Sequence, residues 1–250
     1  MILGTRAHDI QADSALDLCR KLKSIGMDTI QFAPHKSFPD LVYSEQAIRE
    51  IAGIFHENGI HTAVYGAYID PCTPEGVERF LEQIKYAAIL NAGMIATETA
   101  LKAESGDVSA KYGLLADAFR SFADKAEQLG VDVAVEMVSI HPIATPELML
   151  ELLRAVGSER LRVVLDPINL ASPTSKGEQQ LKEACEQSQR AIQLFGERIG
   201  AVHYKKELAH GIRPVLEAMP KDQEICVLLE NVPFADMPDE RERILSWLGK

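Results

Sequence analysis

The sequence has few of the features that mark secreted, membrane-spanning or nucleic-acid-binding proteins. It contains only four cysteines in 250 residues and no CxxC pair, which is typical of reduced thiols in a cytosolic protein. No apolar stretch approaches the roughly 18 residues of a membrane span. The first residues carry a charge at Arg6 and lack the hydrophobic region of a signal peptide. We therefore expect a cytoplasmic protein with no membrane partner.

Positive charge is scarce as well. The chain has 26 lysines and arginines against 37 acidic residues, which gives a formal net charge of −11. No basic run is longer than a pair, so no segment concentrates the positive charge that attracts a phosphate backbone. We therefore expect no nucleic-acid partner.

What the sequence does contain is a regular alternation of two patterns. Short runs rich in valine, isoleucine and leucine alternate with longer segments of helical spacing, which is typical of parallel strands covered by helices. The predicted strands are Ile2–Gly4, Asp28–Phe32, Ile60–Tyr65, Met94–Thr97, Val131–Met137, Leu161–Asp166, Ile199–Tyr204 and Ile225–Glu230. The predicted helices lie near residues 13–25, 44–58, 74–91, 111–129, 145–156, 175–195, 208–218 and 238–248.

Several residues mark where these helices begin and end. Thr73 and Thr145 each precede a proline, as a capping hydroxyl does before the first helical position. Gly26, Gly59 and Gly130 each follow a helical segment, where a left-handed cap is common.

Eight strand–helix units without a linker predict one closed (β/α)8 TIM barrel of the α/β class over residues 1–250. The alternative is a doubly wound open sheet. That fold usually carries a GxGxxG turn after its first strand, and the corresponding turn here reads GTRAHD. The barrel is therefore favoured.

Active sites of such barrels lie at the carboxyl ends of the strands. Four consecutive predicted strands end in Glu136, Asp166, His203 and Glu230. Each residue taken singly could be an ordinary polar strand end. Three carboxylates brought together repel one another unless a cation lies between them, so the set predicts one divalent metal ion. Oxygen ligands with one imidazole suit Mn²⁺, Mg²⁺, Co²⁺ or Zn²⁺.

The same residues lie in recognisable segments: EMVSIHPIATPE from Glu136, DPIN from Asp166, HYK from His203 and EN from Glu230. In these segments, and over essentially its whole length, the chain resembles the sugar-phosphate isomerase/epimerase superfamily. These xylose isomerase-like barrels include ketose 3-epimerases, inosose dehydratases and endonuclease IV-type enzymes. The resemblance implies that the four strand-end residues bind one divalent metal. It also implies that Glu136 and Glu230 handle the proton from opposite faces of the substrate carbon.

Two positions depart from the ketose 3-epimerase pattern. Those enzymes commonly have a histidine three residues after the aspartate, where this chain has Asn169. They also place a second glutamate six residues after the first, where this chain has Pro142. The resemblance therefore predicts the metal ligands without naming the sugar.

Further residues at strand ends and in the following loops are predicted to contact substrate. They are Arg6, His8, Tyr65, Glu98, His141, Asn169 and Lys205. Some have structural alternatives. Arg6 could pair with Asp9 to close a loop, Lys205 could be a solvated loop lysine, and Glu98 could pair with Lys102. Tyr68 could form a wall of the pocket. At the opposite end of the barrel, Asp132 and Arg162 are predicted to pair.

These expectations predict a metal-dependent sugar isomerase or epimerase. A bound cation would polarise a carbonyl and stabilise an enediolate, while Glu136 and Glu230 move the proton. A dehydratase or β-elimination lyase acting on a keto-sugar or inosose remains an alternative, as does a non-catalytic sugar-binding barrel or partner subunit. The predicted partner is a small carbohydrate, and a homo-oligomer is possible.

Overall fold

A computed structural model describes residues 1–100, 109–208, 211–220 and 223–249. In these residues, parallel strands pair in chain order, and the last pairs with the first to close a barrel. The strands are β1 Ile2–Arg6, β2 Thr29–Phe32, β3 His61–Gly66, β4 Met94–Glu98, β5 Asp132–Glu136, β6 Leu161–Leu165, β7 Ile199–Tyr204 and β8 Cys226–Leu229. The helices are α1 Ala15–Ser24, α2 Pro34–Ser37, α3 Glu45–Glu57, α4 Pro74–Ile89, α5 Ser109–Leu129, α6 Pro146–Val156, α7 Pro167–Leu170, α8 Gly177–Phe195, α9 Arg213–Ala218 and α10 Met237–Trp247. The predicted (β/α)8 barrel is confirmed, and its closure excludes the open sheet.

The predicted helix caps are present. The hydroxyls of Thr73 and Thr145 accept hydrogen bonds from backbone N–H groups three residues later, at the starts of α4 and α6. Gly26, Gly59 and Gly130 have φ angles of 69°, 64° and 72°, the left-handed conformation that glycine adopts without steric cost. Local chemistry therefore sets where these helices begin and end. Across the described residues, no helix combines the length and the apolar character needed to cross a membrane.

The core has two layers. The larger layer lies between strands and helices and includes the stacked rings of Phe80 and Phe122, whose centroids are 4.2 Å apart. A smaller cluster fills the inside of the barrel. Its members are mostly small: Ala63, Val64, Ala96, Ala134, Val164, Ala201, Cys226 and Leu228. The barrel is therefore a packed core and not a pore.

The amino-terminal end of the barrel carries an ionic cluster. The Asp132 carboxylate lies 2.9 Å from Arg162 Nε and 3.1 Å from Arg160 Nη1. The predicted Asp132–Arg162 pair is thus confirmed. These residues stand at the starts of β5 and β6, at the end of a TIM barrel where polar side chains serve stability and not catalysis.

Candidate metal centre

The four residues predicted as metal ligands meet at the carboxyl-terminal mouth of the barrel. Glu136 ends β5, Asp166 follows β6, His203 lies in β7 and Glu230 follows β8. All four are buried, with Asp166 and His203 no more than 1% exposed. Possible ligand atoms of Glu136, Asp166 and His203 all lie within 4.8 Å of one another. Glu230 joins them through Oε2, which is 2.8 Å from His203 Nδ1.

The carboxylates are arranged around one ring nitrogen. His203 Nδ1 lies 3.6 Å from Asp166 Oδ2 and 3.7 Å from Glu136 Oε1. Nδ1 and Glu230 Oε2 are buried, and within the described parts of the chain neither has a hydrogen-bond partner of good geometry. Carboxylate oxygens and one imidazole nitrogen form a donor set that suits Mn²⁺, Mg²⁺, Co²⁺ or Zn²⁺. These residues therefore fit a divalent metal.

Two cations of the chain itself also reach the carboxylates. Lys205 Nζ lies 2.5 Å from Asp166 Oδ2 and 3.3 Å from Glu230 Oε1. Nη1 of Arg6 lies 2.8 Å from the same Glu230 oxygen. The solvated-loop interpretation of Lys205 is wrong, since its side chain is only 11% exposed. The sequence predicts that a metal ion neutralises the three carboxylates. In the structure, Arg6 and Lys205 neutralise part of that negative charge themselves.

Burial and charge shift the pKa values of these groups in a consistent way. Burial opposes protonation of His203, but the charges of Glu230 and Glu136 outweigh it and raise the pKa of His203 well above its usual value. Burial would raise the pKa of Glu230, but His203, Lys205 and Arg6 lower it. Both shifts favour an ion pair between His203 and Glu230. A metal that binds through His203 must displace its proton.

Arg6 forms the predicted pair with Asp9 and also reaches the mouth of the barrel. Its guanidinium bonds both oxygens of Asp9 at 3.0 Å, which closes the loop after β1, and it also contacts Glu230. His8 lies in the same loop, with its ring 6.5 Å from that of Tyr68. Burial first, and then the positive charge of Arg6, lower the pKa of His8 to about 4. His8 is therefore a neutral imidazole at the mouth at neutral pH.

Asn169 lies between Glu136 and Lys205. Its Nδ2 donates to Glu136 Oε1 at 2.7 Å, and its Oδ1 accepts from Lys205 Nζ at 3.3 Å. The position follows from the DPIN segment, because Asp166 caps the short helix α7 by accepting from the backbone N–H groups of Ile168 and Asn169. The residue that departs from the ketose 3-epimerase pattern therefore holds an acid of the metal set.

Glu98 and His141 form a second polar pair at the mouth. His141 Nδ1 lies 3.3 Å from Glu98 Oε2. Glu98 is opposite Glu136 in the ladder of β4 and β5. Burial, and next the negative charge of Glu136, raise the pKa of Glu98 to about 7. Lys102, the alternative partner of Glu98, lies outside the described residues.

The prediction that Tyr65 contacts substrate is wrong. Tyr65 is fully buried among the residues between strands and helices, and its hydroxyl donates to Gln83 of α4. Its neighbour Val64 faces the barrel interior, so Tyr65 must face outwards. The aromatic residue at the mouth is Tyr68, which has a positive φ of 50° and carries Lys36 Nζ 3.1 Å from its ring centroid.

Sequence reasoning missed Gln31 of β2. This side chain is 2% exposed, and its Oε1 lies 2.8 Å from His203 Nε2. Its Nε2 donates to the Tyr68 hydroxyl at 3.3 Å. The signal in the sequence was an amide within the predicted strand Asp28–Phe32. In the structure, Gln31 pairs in register with Arg6 of β1. A buried amide needs partners, and at a strand end those partners lie in the site.

A closed parallel barrel with acids and an imidazole gathered at the carboxyl ends of its strands has the layout of a TIM-barrel active-site face. The model of the xylose isomerase-like TIM barrel family matches residues 19–210 of this chain. The chain therefore belongs to the xylose isomerase-like TIM barrel family, as the resemblance of its motifs indicated.

Solved structures share this fold over the whole chain. D-psicose 3-epimerase from Clostridium cellulolyticum, solved with D-tagatose, is 16% identical with a TM-score of 0.71, covering 100% of this chain and 97% of that one. An IolI protein with a bound zinc atom is 14% identical with a TM-score of 0.77, covering 100% and 98%. A xylose isomerase-like protein from Mycobacterium smegmatis in complex with magnesium is 16% identical with a TM-score of 0.73, covering 99% and 96%. No curated protein sequence matches the chain.

Proposed function

We propose that this chain is a divalent-metal-dependent isomerase or epimerase that acts on a sugar by moving a proton next to a carbonyl group. The observation that carries the proposal is the buried arrangement of three carboxylates around His203 Nδ1. Structures of the same fold contain zinc or magnesium, and one is a ketose epimerase solved with a ketose, which supports both the metal and the substrate class.

Glu136, Asp166, His203 and Glu230 are the residues that would hold the metal. A bound divalent cation polarises a substrate carbonyl and stabilises the negative charge that develops on its oxygen. Lys205 lies beside the same carboxylates, and its ammonium group adds a fixed positive charge on that side of the mouth.

Glu136 and Glu230 are the proton-transfer pair in this proposal. They stand three strands apart in the barrel, at the ends of β5 and β8, so they approach a molecule in the mouth from different sides. Asn169 holds Oε1 of Glu136, and Arg6 and Lys205 hold Oε1 of Glu230. In Glu136 the second oxygen, Oε2, is then left for a proton. In Glu230 the second oxygen, Oε2, lies 2.8 Å from His203 Nδ1 and would serve the metal or a proton in its place. The ionised acid removes the proton from one face, and the other acid, which must carry a proton, donates that proton to the opposite face, which inverts the carbon.

The remaining polar groups of the mouth would contact the sugar hydroxyls. His8 and the Glu98–His141 pair offer donors and acceptors, and Tyr68 offers an aromatic face. Asn169 stands where a ketose 3-epimerase commonly has a histidine, and it is already bonded to Glu136. We therefore assign it to the orientation of Glu136 as well as to substrate contact.

The test is hydrogen exchange in heavy water with protein reconstituted with Mn²⁺. Ketoses such as D-tagatose and D-fructose, together with an inosose, are followed by NMR for deuterium at the carbon beside the carbonyl. We expect incorporation with an accepted substrate, and a loss of at least about 10²-fold in turnover in Glu136→Gln and Glu230→Gln, the usual scale of a lost general base. Glu57→Gln, an exposed position on α3, is the matched control and should retain full turnover.

Each outcome separates one interpretation from the others. Near-normal turnover in both Gln variants with metal retained would move the acid–base role to Lys205. Release of water with formation of a double bond would favour the dehydratase alternative. Sugar binding without exchange at any carbon would favour a binding module.

A further inference from the structure

Gln31 has a role towards the metal that neither the sequence motifs nor the ligand set assigns. We infer that Gln31 is a positioning residue: its side-chain oxygen holds the proton on His203 Nε2 and thereby presents the lone pair of Nδ1 to the metal. The inference deepens the proposed function, because it rests on His203 being a metal ligand.

The contacts of His203 divide cleanly between its two ring nitrogens. Nδ1 faces the acids, with Glu230 Oε2 at 2.8 Å. Nε2 faces away from them and lies 2.8 Å from Gln31 Oε1. A neutral imidazole carries one proton, so a nitrogen that binds metal requires the proton to be on the other. An acceptor at Nε2 selects that tautomer, whereas a donor there would select the wrong one.

The orientation of the Gln31 amide follows from its two partners. A tyrosine hydroxyl can donate or accept, so Tyr68 is satisfied by either end of the amide. His203 is not, because its Nδ1 faces the acids. When Nδ1 binds a metal, the ring proton is on Nε2, which must then donate. Gln31 therefore turns Oε1 to His203 and Nε2 to Tyr68, 3.3 Å from its hydroxyl.

The surrounding backbone is built for this contact. A Cβ atom at Gly66, the last residue of β3, would lie 2.9 Å from Tyr68 Cε2, so glycine here leaves room for the Tyr68 ring beside the Gln31 amide. Tyr68 itself has a left-handed φ of 50°, which is uncommon for a bulky residue and persists where the structure around it fixes the conformation. The left-handed backbone of Tyr68 and the absence of a side chain at Gly66 thus bring the Tyr68 hydroxyl onto the Gln31 amide.

The test measures metal affinity directly. Dissociation constants for Mn²⁺ and Cd²⁺ are obtained by competition with a chelator for the wild type, Gln31→Leu and Gln31→Glu. We expect Gln31→Leu to weaken binding by about 10–100-fold, the usual effect of losing such a partner. Gln31→Glu keeps an acceptor oxygen and should stay within a few-fold of the wild type. Gln31→Met, close to glutamine in shape, repeats the test if the leucine variant does not fold.

A second measurement reports which nitrogen binds. Cadmium–nitrogen coupling in protein with isotope-labelled histidine should involve His203 Nδ1 in the wild type and in Gln31→Glu. In Gln31→Leu it should weaken or be shared between the two nitrogens. Wild-type affinity with intact Nδ1 coupling in Gln31→Leu overturns the role of Gln31 alone. Failure of the wild type to bind either metal overturns the proposed metal site and this inference with it.

Discussion

Replacement of Glu98 by glutamine tests how much an ionised Glu98 at the mouth of the barrel lowers the free energy of unfolding. The Glu98 side chain is 24% exposed, and burial together with the charge of Glu136 raises its pKa from the ordinary 4.5 to about 7. The difference between these values corresponds to roughly 3 kcal/mol of folding free energy. Glutamine has the same shape and cannot ionise, so it reproduces the protonated carboxyl at every pH.

The sign follows from which state binds the proton more tightly. Below the unfolded-state pKa, Glu98 is neutral in both states and costs nothing. As pH rises towards about 7, the unfolded chain releases its proton while the folded chain holds it, so the contribution of Glu98 to stability is lost. Glu98→Gln should therefore gain stability relative to the wild type between about pH 5 and about pH 8, by up to roughly 3 kcal/mol.

The assay is urea unfolding of chelator-treated protein across this pH range, with the free energy of unfolding taken from the midpoint and slope. Glu57→Gln, exposed on α3, serves as the control and should follow the wild type at every pH. A constant difference between Glu98→Gln and the wild type at all pH values would refute the reasoning. It would mean that the pKa of Glu98 is the same in the folded and the unfolded protein.

The other predictions concern the metal, the packing and the partners of the chain. The combined change of His203→Ala and Asp166→Ala should abolish the uptake of about one Mn²⁺ per chain, measured by elemental analysis, because both ligands come from the cluster; unchanged metal content would contradict the site. Gly4→Ala places a Cβ 2.6 Å from the backbone oxygen of Thr29 and should cost about 1–3 kcal/mol in thermal or urea unfolding. Gly53→Ala meets nothing within 4 Å in helix α3 and should gain roughly 0.5–1 kcal/mol in the same assay. No metal-dependent nicking of an abasic duplex is expected at physiological salt, given the net charge of −11, and such nicking would place the chain in the endonuclease branch.

Strand periodicity carries most of what the sequence can predict. The apolar runs locate every strand of the barrel, and the carboxyl-end rule by itself brings Glu136, Asp166, His203 and Glu230 to one mouth. Alternation along β7 also gives the correct side for Lys205, two residues after His203.

The errors arise where direction or distance cannot be read from one strand. Tyr65 ends an apolar run. Val64 faces the barrel interior, so Tyr65 faces outwards, towards α4. The run of apolar residues does not show which of these two neighbours faces inwards. The contact between Arg6 and Glu230 requires β1 to pair with β8, so it exists only once the barrel closes. Gln31 is one polar residue in a strand until folding brings His203 within reach.

Strand β5 has a carboxylate at each of its two ends, and the two have different surroundings. Asp132 begins it among the arginines of one barrel end, and Glu136 ends it in the candidate metal centre, about 13 Å away at ~3.3 Å per residue. Ala134 and its small apolar neighbours fill the space between. The two carboxylates therefore lie on opposite sides of a packed apolar core. Substitutions in the substrate loops at one end can therefore change specificity during evolution, while the ionic cluster at the opposite end continues to stabilise the barrel.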